Sequence, residues 1–105
     1  MHIQIVNFSL KGISEEDYRR QCEAIASAFA DLPELISKTW LADPETNTYG
    51  GVYVWRDLQA MEDYIGTDLY KGMLANPHFD NVTVKNFAVL ENPTRVTRGT
   101  SEVTV

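Results

Sequence analysis

One short run in the middle of the chain constrains the fold more than any other segment. Residues Tyr49 to Trp55 read YGGVYVW, and β-branched and aromatic residues in such density favour a strand. Successive strand side chains point to opposite faces, so Val52 and Val54 lie on one face and Tyr53 and Trp55 on the other. A strand with one face in water alternates apolar with polar residues, and this one does not. We therefore expect both of its faces to be covered.

The flanking segments predict the element order β-α-β-β-α-β. Predicted strands cover residues 3–10, 34–42, 49–55 and 82–90; predicted helices run from a cap at Ser14 to Leu32 and from a cap at Asp57 to Asn76, with a break at 66–68. In a chain of 105 residues this order favours a ferredoxin-like α+β sandwich with an antiparallel sheet. We expect residues 1–93 to form this domain and 94–105 to be a tail, either peripheral or exchanged with a partner.

The second sheet face leads to a prediction about assembly. We expect that face to carry Trp40, Tyr53, Trp55 and Phe87, a surface too apolar to be left in water. The simplest cover is a second copy packed sheet to sheet about a two-fold axis. The sequence therefore predicts a homodimer.

Composition excludes several classes of function. Nine Lys and Arg against fifteen Asp and Glu give a net charge of −6, which disfavours binding to nucleic acid or to an anionic membrane surface. No apolar run approaches the roughly 18 residues of a spanning helix, and no secretion signal is evident, so we expect a cytoplasmic protein. One cysteine, Cys22, and two histidines, His2 and His78, supply too few ligands for structural zinc, and we expect no bound metal.

Three segments resemble a known family. They are SKTW at 37–40, GGVYVW at 50–55 leading into Ala60 and Tyr64, and VKNFAVLENP at 84–93. These segments are similar to those of the YdhR-type putative monooxygenase family, in the dimeric α/β-barrel superfamily. The chain departs from the family pattern where Glu91 precedes Asn92 and in the tail. The resemblance implies a sheet-to-sheet dimer, a cavity between sheet and helices, and oxidation of a small aromatic compound without metal, flavin or other cofactor.

Cofactor-free oxygenation needs a substrate that can donate an electron to dioxygen as a phenolate or enolate, in a dry cavity with donors aimed at the oxyanion. Lys38 or Lys85 can hold an anionic oxygen, Asn7 and the Trp40 indole can polarise it, and Tyr53 can relay a proton. The candidate catalytic residues are thus Asn7, Lys38, Trp40 and Tyr53, and the candidate substrate-binding residues are Trp55, Tyr64, Lys85 and Phe87.

Other interpretations stay open at this point. The aromatic residues can equally be core or dimer packing, and Lys38 can lie at a solvated strand edge. The protein can be a non-catalytic small-molecule-binding or stress-related module, or an isomerase or lyase that moves protons without oxygen. Related heme-degrading members of the superfamily hold iron through a histidine near the position of His78, so a heme-binding protein is a further alternative.

Overall fold

The chain folds in the predicted element order, with one extra short helix at its end. The computed structural model describes residues 1–99. Its elements are β1 (His2–Leu10), α1 (Glu15–Ala30), β2 (Leu35–Asp43), β3 (Thr48–Trp55), α2 (Leu58–Ile65), α3 (Asp68–Ala75), β4 (Phe79–Ala88) and α4 (Glu91–Val96). The ferredoxin-like α+β class predicted from the sequence is confirmed, and the predicted helical stretch after residue 57 is two helices.

Side chains cap the helices where the sequence placed their starts. The Ser14 hydroxyl accepts the Asp17 N–H at 3.1 Å, and the Asp57 carboxylate accepts the Ala60 N–H at 2.9 Å. Each satisfies one of the backbone donors that a helix leaves free at its first turn. Helix α2 ends at Gly66, and the Thr67 hydroxyl caps α3. The break between α2 and α3 therefore follows from local sequence.

The four strands form one antiparallel sheet in the order β2-β3-β1-β4. Lys38 lies opposite Tyr53, and Trp40 lies opposite Gly51. Residues directly opposite in an antiparallel pair share a face. The register therefore puts Lys38, Trp40 and Tyr53 on the same side of the sheet, which is the side covered by the helices.

This register corrects the predicted composition of the second sheet face. Trp55 is 1% exposed and Tyr53 3% exposed, because both pack under the helices, and Trp40 packs against the same core. Of the four residues predicted for the open face, only Phe87 is there, opposite Ile3 of β1 and 50% exposed. The large rings fill the deep space between sheet and helices, where they remove the most surface from water.

The open face is nevertheless apolar. Its residues on the two central strands include Ile3, Ile5, Val52 and Val54, which pair in register, and Phe87 extends it onto β4. The β-branched residues of β3 thus lie outside the core of the isolated chain.

The predicted tail begins in a short helix, and its role stays a prediction. Residues 94–96, predicted as tail, belong to the short helix α4, while 100–105 lie outside the described residues. In the part of the chain that the structure describes, no helix is long and apolar enough to cross a membrane.

Candidate active site

A cavity of about 470 Å³ lies between the sheet and the helices α1 and α3. Six aromatic residues contribute to its wall: Phe8, Tyr18, Phe29, Trp40, Tyr53 and Phe79. Exposed residues of both helices, including Gln21 and Asp68, also line it, so its mouth opens between α1 and α3. A largely apolar concavity of this volume with a few polar groups is the usual form of a small-molecule site.

Among the described residues that line this cavity, Lys38 is the only lysine. Its Nζ lies 3.4 Å from the ring centroids of both Phe29 and Trp40 and 4.7 Å from that of Tyr53. An ammonium within about 6 Å of a ring face is attracted by the ring quadrupole. The three rings therefore form a cage that fixes the position of the amine; we call Phe29, Trp40 and Tyr53 the aromatic cage.

The surroundings of Lys38 favour its neutral form. Among residues 1–99 no carboxylate forms a salt bridge with it. Burial lowers the pKa of Lys38 from 10.5 to about 7, with a smaller opposing effect from Cys22, because a low-dielectric environment penalises the charged amine. The attraction of the rings for the ammonium also opposes the effect of burial. Both protonation states of Lys38 are thus accessible near neutral pH.

Two adjacent glycines of β3 make this arrangement possible. A Cβ at Gly51 would lie 2.9 Å from Cε of Lys38, so the glycine leaves room for the lysine stem. Gly50 has φ of +143°, and a Cβ there would lie 1.8 Å from the carbonyl oxygen of Val6. Only glycine adopts that backbone without strain. Gly50 thus allows β1 and β3 to approach closely, and Gly51 gives Lys38 room at the site.

The hydroxyl group of the cage residue Tyr53 forms a buried pair with that of Tyr64. The Tyr64 hydroxyl of α2 donates to the Tyr53 hydroxyl across a long 3.5 Å contact, which leaves the Tyr53 O–H free to donate elsewhere. Burial raises the pKa of both tyrosines, so both stay protonated. Trp55 lies deeper still, where its indole N–H donates to the side-chain oxygen of Gln4 at 3.3 Å.

The structure brings together some of the predicted site residues and separates others. Lys38, Trp40 and Tyr53 meet at the cavity, and Tyr64 and Trp55 contact Tyr53 from behind. The remaining three, Asn7, Lys85 and Phe87, share the open face of the sheet.

Asn7 is separated from Lys38 by strand parity. It lies opposite Gly50, and its side-chain amide donates to the carbonyl oxygen of Tyr49 at 3.4 Å. On β1 the residues that face the helices are the buried Gln4, Val6 and Phe8. Alternation along β1 shows which residues share a face. It does not show which of the two faces lies under the helices, because that depends on how β1 pairs with its neighbours.

Sequence reasoning missed the third wall of the cage. Phe29 is 5% exposed. With Tyr18, Cys22 and Ile25 it forms an apolar stripe at three- and four-residue steps along α1, and that spacing does not show which of them faces a lysine. Tyr18 and Cys22, from the same stripe, also line the cavity.

His78 does not line the cavity. Its ring Nδ1 lies 2.9 Å from the carbonyl oxygen of Lys11, at the turn before β4. Among the described residues, no three His, Cys, Asp or Glu side chains cluster in a way that could hold a metal ion.

Several solved structures share this fold. A protein from Deinococcus radiodurans described as a "putative antibiotic biosynthesis monooxygenase" superposes with a TM-score of 0.72 at 16% identity, covering 87% of this chain and 94% of the other. The cofactor-independent oxygenase SnoaB from Streptomyces nogalater gives 0.67 at 19% identity, covering 87% and 95%. The heme-degrader MhuD from Mycobacterium tuberculosis, solved with two hemes bound in its active site, gives 0.70 at 14% identity, covering 88% and 98%. These similarities establish the ferredoxin-like fold.

The family follows from the sequence itself. A family model described as "Putative mono-oxygenase ydhR" matches residues 3–100, and the chain belongs to that family. The resemblance stated from its three short segments is thereby confirmed. No curated protein matches the sequence.

Proposed function

We propose that the protein is a cofactor-independent monooxygenase that oxidises a small aromatic compound able to form a phenolate or an enolate. The proposal rests on one observation above all. Lys38, which forms no salt bridge with a carboxylate of residues 1–99, has its amine held by three aromatic rings at a cavity large enough for such a compound. Membership of a monooxygenase family and the fold of a cofactor-independent oxygenase support the same reaction type.

Lys38 acts first as a base. Its neutral amine takes the proton of a phenol or enol, and the resulting ammonium pairs with the oxyanion that it has just formed. Proton transfer is efficient because a pKa near 7 provides enough neutral amine at neutral pH. The ion pair forms in an apolar cavity, where its attraction is stronger than in water.

The electron-rich anion then reacts with dioxygen. Its reactive carbon donates electrons to dioxygen and forms a peroxide, which loses water to leave a carbonyl group on that carbon. A CH₂ group and one dioxygen thus become a C=O group and one water, and the substrate supplies all the electrons. The apolar walls keep bulk water from the intermediate. The Lys38 ammonium returns its proton to the leaving oxygen, to which the Tyr53 hydroxyl donates a hydrogen bond.

We also propose that a second copy of the chain covers the open sheet face. Val52, Val54 and Ile5 lie on that face of the isolated chain together with the half-exposed Phe87. An apolar face can pack against the same face of a second copy about a two-fold axis, which is the commonest type of homodimer. The cavity itself lies on the other side of the sheet.

Oxygen consumption tests the proposed reaction. Purified protein is mixed with anthrone-like compounds and phenols in an oxygen electrode cell, and the wild type is compared with Lys38→Met and Tyr53→Phe. We expect Lys38→Met to lower the rate by at least about 100-fold, the usual contribution of a positioned base. Tyr53→Phe keeps the ring and should cost less. Lys71→Met, at an exposed position of α3, is the matched control and should not change the rate.

The same experiment separates the alternatives. Tight binding of these compounds without oxygen uptake would indicate a non-catalytic binding module. Turnover that continues without oxygen would indicate an isomerase or lyase. Equal rates for the wild type and the Lys38→Met variant would remove Lys38 from the mechanism.

A further inference from the structure

Lys38 has an environment that a purely structural lysine lacks. Long charged side chains are rarely buried without a partner, because the ammonium loses its hydration. Within the described part of the chain Lys38 has no carboxylate partner, and its nearest recorded contacts are ring faces. Such an environment gives little stability to the fold and leaves the amine lone pair unused.

The geometry also makes that lone pair accessible. Lys38 lines the same cavity as Phe8 and Phe79, so a ligand in the cavity reaches the amine without moving the sheet. The aromatic cage restricts the amine to one place, which reduces the entropy lost when it reacts. A flat apolar ligand can stack against the same rings.

We propose that Lys38 is a nucleophile that captures an apolar aldehyde or ketone in this cavity as an imine. The amine nitrogen forms a bond to the carbonyl carbon and the C=O π electrons move to oxygen, giving a carbinolamine after proton transfer. Loss of that oxygen as water then forms the C=N bond. The step is a condensation without change of oxidation state, so it needs no oxidant or reductant. This activity goes beyond oxygenation and does not depend on it.

The other titratable groups of the cavity do not compete for the carbonyl. Cys22 and Tyr18 of α1 and Tyr53 of β3 line it, and Asp68 of α3 lies exposed at the mouth. Burial raises the pKa of the Cys22 thiol and of both tyrosines, so these three groups stay protonated and are poor nucleophiles. Lysine, whose neutral form is favoured by burial, is the exception.

Trapping with a hydride donor tests the proposal. The protein is incubated anaerobically at pH 7.5 with benzaldehyde and sodium cyanoborohydride, which reduces an imine to a stable secondary amine, and the products are mapped by peptide mass spectrometry. Lys38 should be benzylated at least about tenfold faster than the exposed Lys11 and Lys71, with saturation as the aldehyde fills the cavity. Acetone-sized carbonyls, which cannot stack on the rings, should be trapped more slowly.

Two variants keep the outcome interpretable. Replacing Lys11, Lys71 and Lys85 together by arginine should leave the fast labelling intact, whereas Lys38→Arg should abolish it. If Lys38→Arg fails to fold, the triple variant alone decides, because Lys38 is then its only lysine. Labelling of Lys38 that is no faster than that of Lys71, or labelling confined to the N-terminal amine, would overturn the proposal. Such a failure leaves oxygen uptake with phenols unaffected, so the two proposals are tested separately.

Discussion

Lys38 is the residue on which both proposed reactions depend. Its neutral form takes a proton from a phenol or attacks a carbonyl, and its charged form holds an oxyanion. The balance between them is set by burial, which disfavours the charge, and by the aromatic cage, which favours it. The cage thus positions the amine and tunes its protonation at the same time.

The lowered pKa of Lys38 makes the stability of the protein depend on pH. In the unfolded chain Lys38 titrates near 10.5, and in the folded protein near 7. Between these values the unfolded state binds more protons, so the free energy of unfolding rises with pH. Relative to Lys38→Met, the wild type should gain stability between pH 7 and 10, by up to about 4 kcal/mol at about 1.4 kcal/mol for each pKa unit. Urea unfolding at a series of pH values measures this difference.

Lys71→Met provides the comparison for that series. Lys71 is exposed on α3, so its replacement should change stability by the same small amount at every pH. A difference between the wild type and Lys38→Met that stays flat from pH 7 to 10 would mean that Lys38 is as solvated as Lys71.

Individual site residues were predictable only where alternation sufficed. Lys38 and Trp40 share a parity on one strand, and Tyr53 has the matching parity on the next, so their meeting could be foreseen. Which face of the sheet these three residues lie on depends on how the helices pack. Residues close to them in sequence do not show that packing. For the same reason the sequence groups Asn7 with the other candidate catalytic residues, although Asn7 lies on the opposite face of the sheet from them.

Strand β3 carries the site, and its two glycines show how. Gly51 makes room for the stem of Lys38, and Gly50 allows β1 to approach closely. The sequence predicts the strand, and a glycine within a strand is typical of a bulge or a hairpin end. The cause is instead a long-range contact with Val6, which no local pattern contains.

Gly50→Ala should be strongly destabilising. The new Cβ would lie 1.8 Å from the carbonyl oxygen of Val6 on a backbone with φ of +143°, so both strain and a clash oppose folding. We expect a loss of about 3 kcal/mol or more in the free energy of unfolding. Gly72→Ala is the control, because a Cβ there meets no atom within 4 Å, and alanine should stabilise α3 by about 0.5–1 kcal/mol. Equal stabilities of the two variants would contradict the described approach of β1 and β3.

The helices were the most predictable elements. Ser14 and Asp57 are side chains that accept hydrogen bonds from N–H groups within four residues, so the starts of α1 and α2 depend on local chemistry alone. The bounds of β4 were less predictable. The strand begins at Phe79, whereas the sequence predicts a start at residue 82, and the helix α4 follows it. That strand is shaped by an irregular pairing with β1 between Asn7 and Ser9.

For the molecule as a whole, the two faces of the sheet have different tasks. The helix-covered face carries the cavity, and the open face carries an apolar surface that includes Val54 and Phe87. The expectation that the strand YGGVYVW needs cover on both sides remains a prediction, although the rings assigned to the outer side proved to be inside.

Phe87→Glu tests the proposed dimer. Placing a charge on the sheet face should weaken self-association at least about tenfold, because an unpaired carboxylate would be buried at the interface. Leu74→Glu is the matched control: Leu74 is 46% exposed on the helical side, close to the 50% of Phe87, and its replacement should leave association unchanged. Sedimentation equilibrium measures both. A wild type that sediments as a monomer at every concentration would contradict the dimer.

The titration of Lys38 in the folded protein, followed by NMR of ¹³C-labelled lysine side chains, tests the basis of both proposed reactions most directly. The chain has four lysines, at 11, 38, 71 and 85, and Lys38→Met identifies the relevant signal. We expect that signal to be shifted upfield by the surrounding rings and to titrate with a midpoint of about 7. A Lys38 signal that titrates at its ordinary value of 10.5, with no ring-current shift, would show that the amine lies in water.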